Sequence, residues 1–476
     1  MSHAEMPWLQ VQVWTPRVRR GSSACRRLPV MAAAMVASAM VTPELTRPVA
    51  WASSRTPSTP RSHRGLRRGG RRGSRPRRRG RRPVPGADDL GPEEVPMFAT
   101  DPEARARRRK LLVNSGPATQ LLIGDAIGDA FGAIIEMQDA YWIREFVTFD
   151  QWPKNPMRRS EWNTNSACGM YTDDCEMTVG LINGLLTHGL QISAADMLES
   201  WQAEWDLAKR RPRPAPPGAE RHGHGSIKGY FRGFRDIEEV RRLQSGKEDP
   251  GNAPPMRALP LAFIENNSLR EKLSVMNANS THPHARARAA SFLVAEGARW
   301  LIVERGDQKE VIRSAMSRLQ NSSVSDRATE VHLQKVDELE DYHDWGGRFR
   351  KMPAHRHELL CGPQPCPPAD GIGAGEDGSS KMHGLWSDAM RTAAVVLYLL
   401  KHHRGPLDIL RASVDIGGDV DSIAALCLGV VGGSVGLDFG EDHGLPWFLL
   451  EEVEGVEYLH ARGKKFEEWI GKQQTA

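Results

Sequence analysis

The chain is short of cysteine, of strand-like alternation and of long hydrophobic runs, and each shortage narrows what it can be. Its six cysteines lie scattered at 25, 168, 175, 361, 366 and 427. Only CGPQPC at 361–366 has zinc-like closeness, and no second pair completes four ligands, so neither a disulfide framework nor a structural zinc site is indicated. Free thiols in a reducing, intracellular compartment are the expectation. The best apolar run, AAVVLYLL at 393–400, is far short of the roughly 20 residues that cross a bilayer. VMAAAMVASAMV at 30–41 resembles the apolar part of a signal peptide but begins late and is also too short. Runs of alternating Val, Ile and Thr, the mark of half-buried strands, are absent.

Lysine is missing altogether from residues 1–87, although that segment holds 19 Arg against only Glu5 and Glu44. The remaining 45 basic and 57 acidic residues leave the rest of the chain at −12, which the overall net charge of +5 conceals. An acidic body attracts cations and gains nothing from approaching nucleic acid; no nucleic-acid or membrane partner is expected for it. The Arg-rich segment, with RGLRRGGRRGSRPRRRGRRP at 64–83, has no apolar periodicity and cannot build a core. Three readings remain open for residues 1–100: an organelle transit peptide, a basic arm for nucleic acid or nuclear import, or a dispensable stretch ahead of a true start such as Met97. The first would place the protein in an organelle, the last in the cytoplasm.

What is present is helical periodicity. LLIGDAIGDAFGAIIEM, EMTVGLINGLLTHGL, SAADMLESWQAEWDLAK, RARAASFLVAEGARWLIVE, SDAMRTAAVVLYLLKHH and DSIAALCLGVVGGSVGL carry apolar residues three and four apart. The loops between them are rich in Gly, Pro and His; that at 344–384 is long enough to be functional or partly disordered. The body at 105–474 therefore reads as one large all-α domain behind a disordered extension.

Three acidic segments stand out. In GDAIGDAFGAIIE at 124–136, Gly124, Gly128 and Gly132 share a helix face that lets a partner backbone approach closely, and Asp125, Asp129 and Glu136 are charges on an otherwise apolar helix. YTDDCEMT at 171–178 holds Thr172, Asp173 and Asp174. IGGDVDSIAA at 416–425 holds Asp419, Asp421 and Ser422. Each residue alone is a serviceable helix cap, but capping needs one oxygen and these segments offer pairs. Bringing Asp173, Asp174, Asp419 and Asp421 together in an apolar setting costs several kcal/mol per ion unless they are partnered. The segments contain no Arg or Lys to do so. Divalent cations are the remaining compensation, and an all-oxygen donor set selects Mg²⁺, with Mn²⁺ the alternative, over Zn²⁺.

These three segments resemble the signature segments of the ADP-ribosylglycohydrolase family. GNAPPMRALPLAF at 251–263, STHPHARARAA at 280–290 and GLWSDAMRTAAVVLYLLK at 384–401 resemble further family segments, in the family's order. The resemblance implies an all-α fold, a centre of two Mg²⁺ ions, and cleavage of the glycosidic bond between ADP-ribose and an acceptor, either a modified protein or a small adduct. It implies Thr172, Asp173, Asp174, Asp419, Asp421 and Ser422 as metal ligands, with Asp421 bridging. Glu136, Asp174 and Asp419 are the candidates for acid–base work, a choice the sequence leaves open. Gly251, Asn252 and His282 correspond to the ADP-ribose side of the site. Gly225 and Ser226, in the Gly-rich HGHGSIKG, are expected to offer backbone N–H groups to the pyrophosphate. The chain departs from the family pattern at Cys175, where Thr or Ser is usual, at Ser422, where Thr is commoner, and at Ala253, where a second glycine is usual. Cys175, beside the predicted ligands at a helix start, is expected to make the metal-loaded enzyme sensitive to thiol reagents, because bound cations offset the neighbouring carboxylates that raise its pKa. A monomer is expected. Two other classes stay open: a metal-dependent phosphohydrolase or other nucleotide-cleaving enzyme on the same carboxylates, and a non-catalytic ADP-ribose-binding protein.

Overall fold

A computed structural model of the chain describes residues 101–154, 168–211, 218, 220–341, 354–366, 382–440 and 444–475. The chain separates into two units, Met1–Arg79 and Gly80–Ala476. The Arg-rich extension and most of the 344–384 loop lie outside the described residues.

The expected all-α class is what the chain adopts. Helices α1 (Pro102–Val113), α2 (Pro117–Ala133) and α3 (Ala140–Phe146) come first. Then follow α4 (Asp173–His188), α5 (Ala194–Arg210), α6 (Lys228–Phe231), α7 (Ile237–Ser245) and α8 (Ala253–Met256). The middle holds α9 (Asn267–Asn279), α10 (Ala285–Ile302), α11 (Val311–Gln320), α12 (Arg327–Asp337) and α13 (Ala354–Cys361). The last five are α14 (Ala389–His402), α15 (Pro406–Asp415), α16 (Val420–Val435), α17 (Trp447–Glu452) and α18 (Val456–Thr475). Among the described residues no strand forms; only isolated bridges occur, such as Gln138 with Gly418 and Leu385 with Gly418.

Local chemistry sets the helix starts. Ser193 and Asp196 form a reciprocal capping box on α5, and Asp236, Asn266, Asp326 and Asp388 each accept a backbone N–H as N-caps. Proline occupies the first turn of α1, α2 and α15, where its missing N–H costs nothing. α16 is buried nearly all round, as its apolar sequence requires, and α10 and α14 are buried along most of their length.

The most extensive contact is between α2 and α16, and the glycine stripe explains it. A Cβ at Gly128 would stand 2.1 Å from Ala424 O, one at Gly124 2.5 Å from Leu428 O, and one at Gly132 2.4 Å from Asp421 Cα. The two helices therefore meet backbone to backbone, with no room for a side chain between them. This contact brings the start of α16 against the end of α2, while α4 packs on α2 and α5. The starts of α4 and α16 and the chain just after α2 form the site.

Candidate active site

The turn before α16 is held on two sides. Gly418 N–H donates to Gln138 O at 2.9 Å and Gly418 O accepts from Met137 N at 2.7 Å. On the other side, Leu385 N–H donates to Gly417 O at 2.9 Å and Asp419 N–H to Leu385 O at 3.0 Å. Gly417 and Gly418 have φ of +74° and +78°, and a Cβ at Gly418 would lie 2.0 Å from Leu385 O. Only glycine meets both demands, so the pair ahead of Asp419 is fixed by backbone geometry.

From this turn Asp419 and Asp421 project beside Glu136, and one carboxylate oxygen from each of the three lies within 4.8 Å of the others. Asn252 Nδ2 donates to Asp419 Oδ2 at 2.6 Å and to Ser422 Oγ at 3.1 Å, while its Oδ1 accepts from Ser387 Oγ at 2.6 Å. Both amide protons of Asn252 are thus engaged in holding the acidic set. Ser422 N–H donates to Asp421 Oδ1 at 3.0 Å.

The start of α4 supplies the other half. Asp129, one turn before the end of α2, accepts from Thr172 N at 2.9 Å, Thr172 Oγ at 2.8 Å and Cys175 N at 3.0 Å. A carboxylate receiving the free N–H groups of a helix start is a cap supplied from another helix. Because Thr172 donates its proton there, its oxygen lone pairs remain available. Asp174 is buried, and its Oδ1 has no hydrogen-bond partner among the described residues. Asp173 is partly buried and lies against Gly223, at φ +89°, where a Cβ would stand 1.5 Å from its Oδ1.

Burial pushes these carboxyls up, and their mutual repulsion pushes them further. Asp129 and Asp419 rise to about 7, the second through burial and then Glu136. Asp174 rises well above the usual range through burial, then Asp129, Asp173 and Asp419. Asp421 does so through burial, then Glu136, Asp419 and Asp174. The centre as it stands is short of positive charge.

A loop from α5 to α6 runs along the edge of these groups. Arg221 is buried; its Nε donates to Glu176 Oε2 at 2.7 Å and its terminal nitrogens to Glu454 at 2.7 and 2.9 Å. His222 Nε2 lies 3.0 Å from Glu136 Oε2 and His224 Nε2 2.8 Å from Glu176 Oε1. Ser226 Oγ accepts from Gln244 Nε2 at 3.0 Å, and Gln244 Oε1 accepts from Gly251 N at 3.3 Å. Gln244 thus ties the HGHGSIKG loop to the turn before α8. The His282 ring lies beside Gly251, where a Cβ would be 3.2 Å from Nε2. Gly225, at φ +33°, has open space beside it.

The ADP-ribosylglycohydrolase family model matches residues 117–474 of this chain. The chain belongs to the ADP-ribosylglycohydrolase family. The chain is also similar to a solved structure, an ADP-ribosylglycohydrolase-related protein complex, at 19% identity, covering 74% of this chain and 97% of that one, with a TM-score of 0.41. No curated protein matches it at a significant level. Membership makes it a hydrolase of the glycosidase type. No helix among the described residues is long and apolar enough to cross a membrane.

Within this family member, the structure gathers Thr172, Asp173, Asp174, Asp419, Asp421, Ser422 and Glu136 around one centre, and Gly251, Ser226 and His282 around Gln244. Sequence reasoning missed several participants. Asp129 was visible only as a charge on an apolar helix, Arg221 and His222 lay in a loop singled out for its glycines, and Gln244 gave no signal. Cys175 requires a correction. It is fully buried, and burial, then Asp125 and Asp129, push its thiol well above the usual range. A protonated, sealed thiol is inert, so proximity to the ligands does not confer reactivity.

Proposed function

We propose that this domain hydrolyses the glycosidic bond between ADP-ribose and an acceptor, with divalent cations held by Thr172, Asp173, Asp174, Asp419, Asp421 and Ser422. The observation that carries this reading is a convergence of oxygen donors: Glu136, Asp419 and Asp421 each bring a carboxylate oxygen within 4.8 Å of the others, and Asp174 keeps a buried oxygen that meets no hydrogen-bond partner among the described residues. The donors fit a hard cation, being all oxygen, and Mg²⁺ or Mn²⁺ is the match. When bound, such ions supply Lewis-acid stabilisation and orient hydroxyl oxygens.

The chain's own residues divide the rest of the work. Departure from the anomeric carbon develops positive charge on the ribose, which flanking carboxylates stabilise. Glu136 is half-buried and steadied by His222, so it stands at the mouth of the set, where it can take a proton from the attacking water. Asn252 holds Asp419 and Ser422 in register. The turn joined by Gln244 presents Ser226 and Gly251 beside His282 to the remainder of the ADP-ribosyl group.

The test is incubation with arginine-, serine- and acetyl-linked ADP-ribose, with and without Mg²⁺, followed by product analysis. Free ADP-ribose in the Mg²⁺ samples is the expected outcome. AMP or inorganic phosphate would instead identify a phosphohydrolase, and binding without turnover of any linkage would identify a reader.

A further inference from the structure

We propose that Arg257 and Thr281 are positioning residues that hold His282 as a neutral ring with its proton on Nε2, presenting a hydrogen-bond donor to an acceptor oxygen of the ADP-ribosyl group. The inference rests on the ligand class argued above, but its first observable does not need the ligand.

Arg257 follows α8 and is fully buried, and among the described residues no carboxylate pairs with it. Its guanidinium donates to Asn277 Oδ1 at 2.7 Å, Asn277 O at 3.0 Å and Thr281 Oγ at 2.7 Å. It stacks over the Trp201 ring at 3.8 Å, with Met177 Sδ 3.6 Å from one nitrogen. Such a residue is placed by its surroundings, not by an ion pair. Burial lowers it to about 9, and Asp173 opposes that shift, so at neutral pH it remains a cation and only donates.

The direction of the next hydrogen bond follows. Thr281 Oγ already accepts from Arg257, and its single proton needs an acceptor. Among the described residues that acceptor is His282 Nδ1, 2.7 Å away. Nδ1 therefore carries no proton, and a neutral imidazole must carry its proton on Nε2. Burial first, then Arg257 and Lys247, also disfavour the charged ring, holding it well below the ordinary histidine value. The Nε2 end faces Gly251, whose own N–H is engaged by Gln244, and among the described residues it meets no protein acceptor. The side chain is only 4% exposed. An oriented, nearly buried donor without a partner is costly unless something accepts from it. Gly251 adjoins Asn252, which grips Asp419, so this donor stands at the rim of the carboxylate set. An uncharged donor there can hold a hydroxyl or phosphoryl oxygen at any working pH. With Nε2 protonated, it cannot act as the base.

Full-length protein with ¹⁵N-labelled histidine tests this by long-range ¹H–¹⁵N correlation without ligand, with His282→Gln assigning the signals. The expected spectrum shows Nδ1 unprotonated and Nε2 protonated, unchanged between pH 6 and 8. Thr281→Val should produce a mixture of tautomers and weaken binding of free ADP-ribose about tenfold, equivalent to the net worth of one hydrogen bond; Thr281→Ser should restore both. A proton on Nδ1 or a charged ring in the parent protein would overturn the proposal. So would ADP-ribose binding that Thr281→Val leaves unchanged. If the tautomer is as stated and ADP-ribose does not bind at all, the ligand assignment falls and the relay to His282 stands.

Discussion

The first turn of α4 treats its acids in two opposite ways. Glu176 is buried, and Arg221 meets it at 2.7 Å while also gripping Glu454. The same solution recurs at Glu296, which is buried between Arg270 and Arg318. Two and three residues before Glu176, Asp174 and the partly buried Asp173 point into a centre where Asp129, Asp419 and Asp421 are buried, and among the described residues none of these Asp side chains makes an ion pair with Lys or Arg. Backbone N–H groups, Asn252 and the two helix starts offset part of that charge. The fold plainly can bring a guanidinium to a buried acid where cohesion is the only demand. Withholding one from this centre is what the proposed cation site requires.

The largest effect should come from removing one acid of the uncompensated set. Asp421→Asn is expected to lower hydrolysis by more than roughly 100-fold, the upper loss typical of residues that merely support a metal site. In chelator its melting temperature should equal or exceed that of the parent, because a repulsive charge has gone. The parent should gain thermal stability on adding Mg²⁺ and the variant should gain far less. A variant that melts well below the parent in chelator would show that Asp421 is held by something other than a cation.

The converse experiment breaks the compensated region. Arg221→Met leaves Glu176 and Glu454 buried without their partner, which should cost about 3–5 kcal/mol in denaturant unfolding. Adding Glu176→Gln should recover part of that loss. Equal stability of the single variant and the parent would mean that water reaches these acids.

The smallest effect concerns His403, buried between Asp341 and Asp408. Burial opposes its charge, but the two carboxylates outweigh burial and raise it to about 9. A base held more tightly in the folded chain stabilises fully below its unfolded value near 6.5 and loses that contribution as pH rises through about 9. Stability should therefore fall by on the order of 1–2 kcal/mol over that interval, the two carboxylates being partly screened by solvent. In His403→Gln the same interval should be flatter.

Local features were legible in the sequence. Apolar spacing gave the helices, and the fourfold glycine spacing in α2 gave a face made for backbone contact, which α16 fills. The acidic segments stood out because Asp173 with Asp174, and Asp419 with Asp421, are each close in sequence. What could not be read depends on residues far apart along the chain. Arg221 is defined by Glu454, Gln244 by two loops that it joins, and Arg257 by the Trp201 face and the Thr281 hydroxyl. Nothing local distinguishes these from ordinary surface residues. Cys175 shows the reverse error: its neighbours in sequence are at the centre, yet its side chain turns inward, toward Asp125.

The backbone-to-backbone contact of α2 with α16 also orders events in time. Its two halves stand near opposite ends of the body, so the contact is highly non-local and its closure entropy must be met late. While the chain is being made, α2 emerges early and waits, its glycine face uncovered and its acids in water, until α16 leaves the ribosome. Cation affinity should therefore arrive in one step near the end of synthesis. Chains arrested before residue 420 should bind no Mg²⁺, and in refolding experiments the amides of α2 should gain protection from exchange only when those of α16 do.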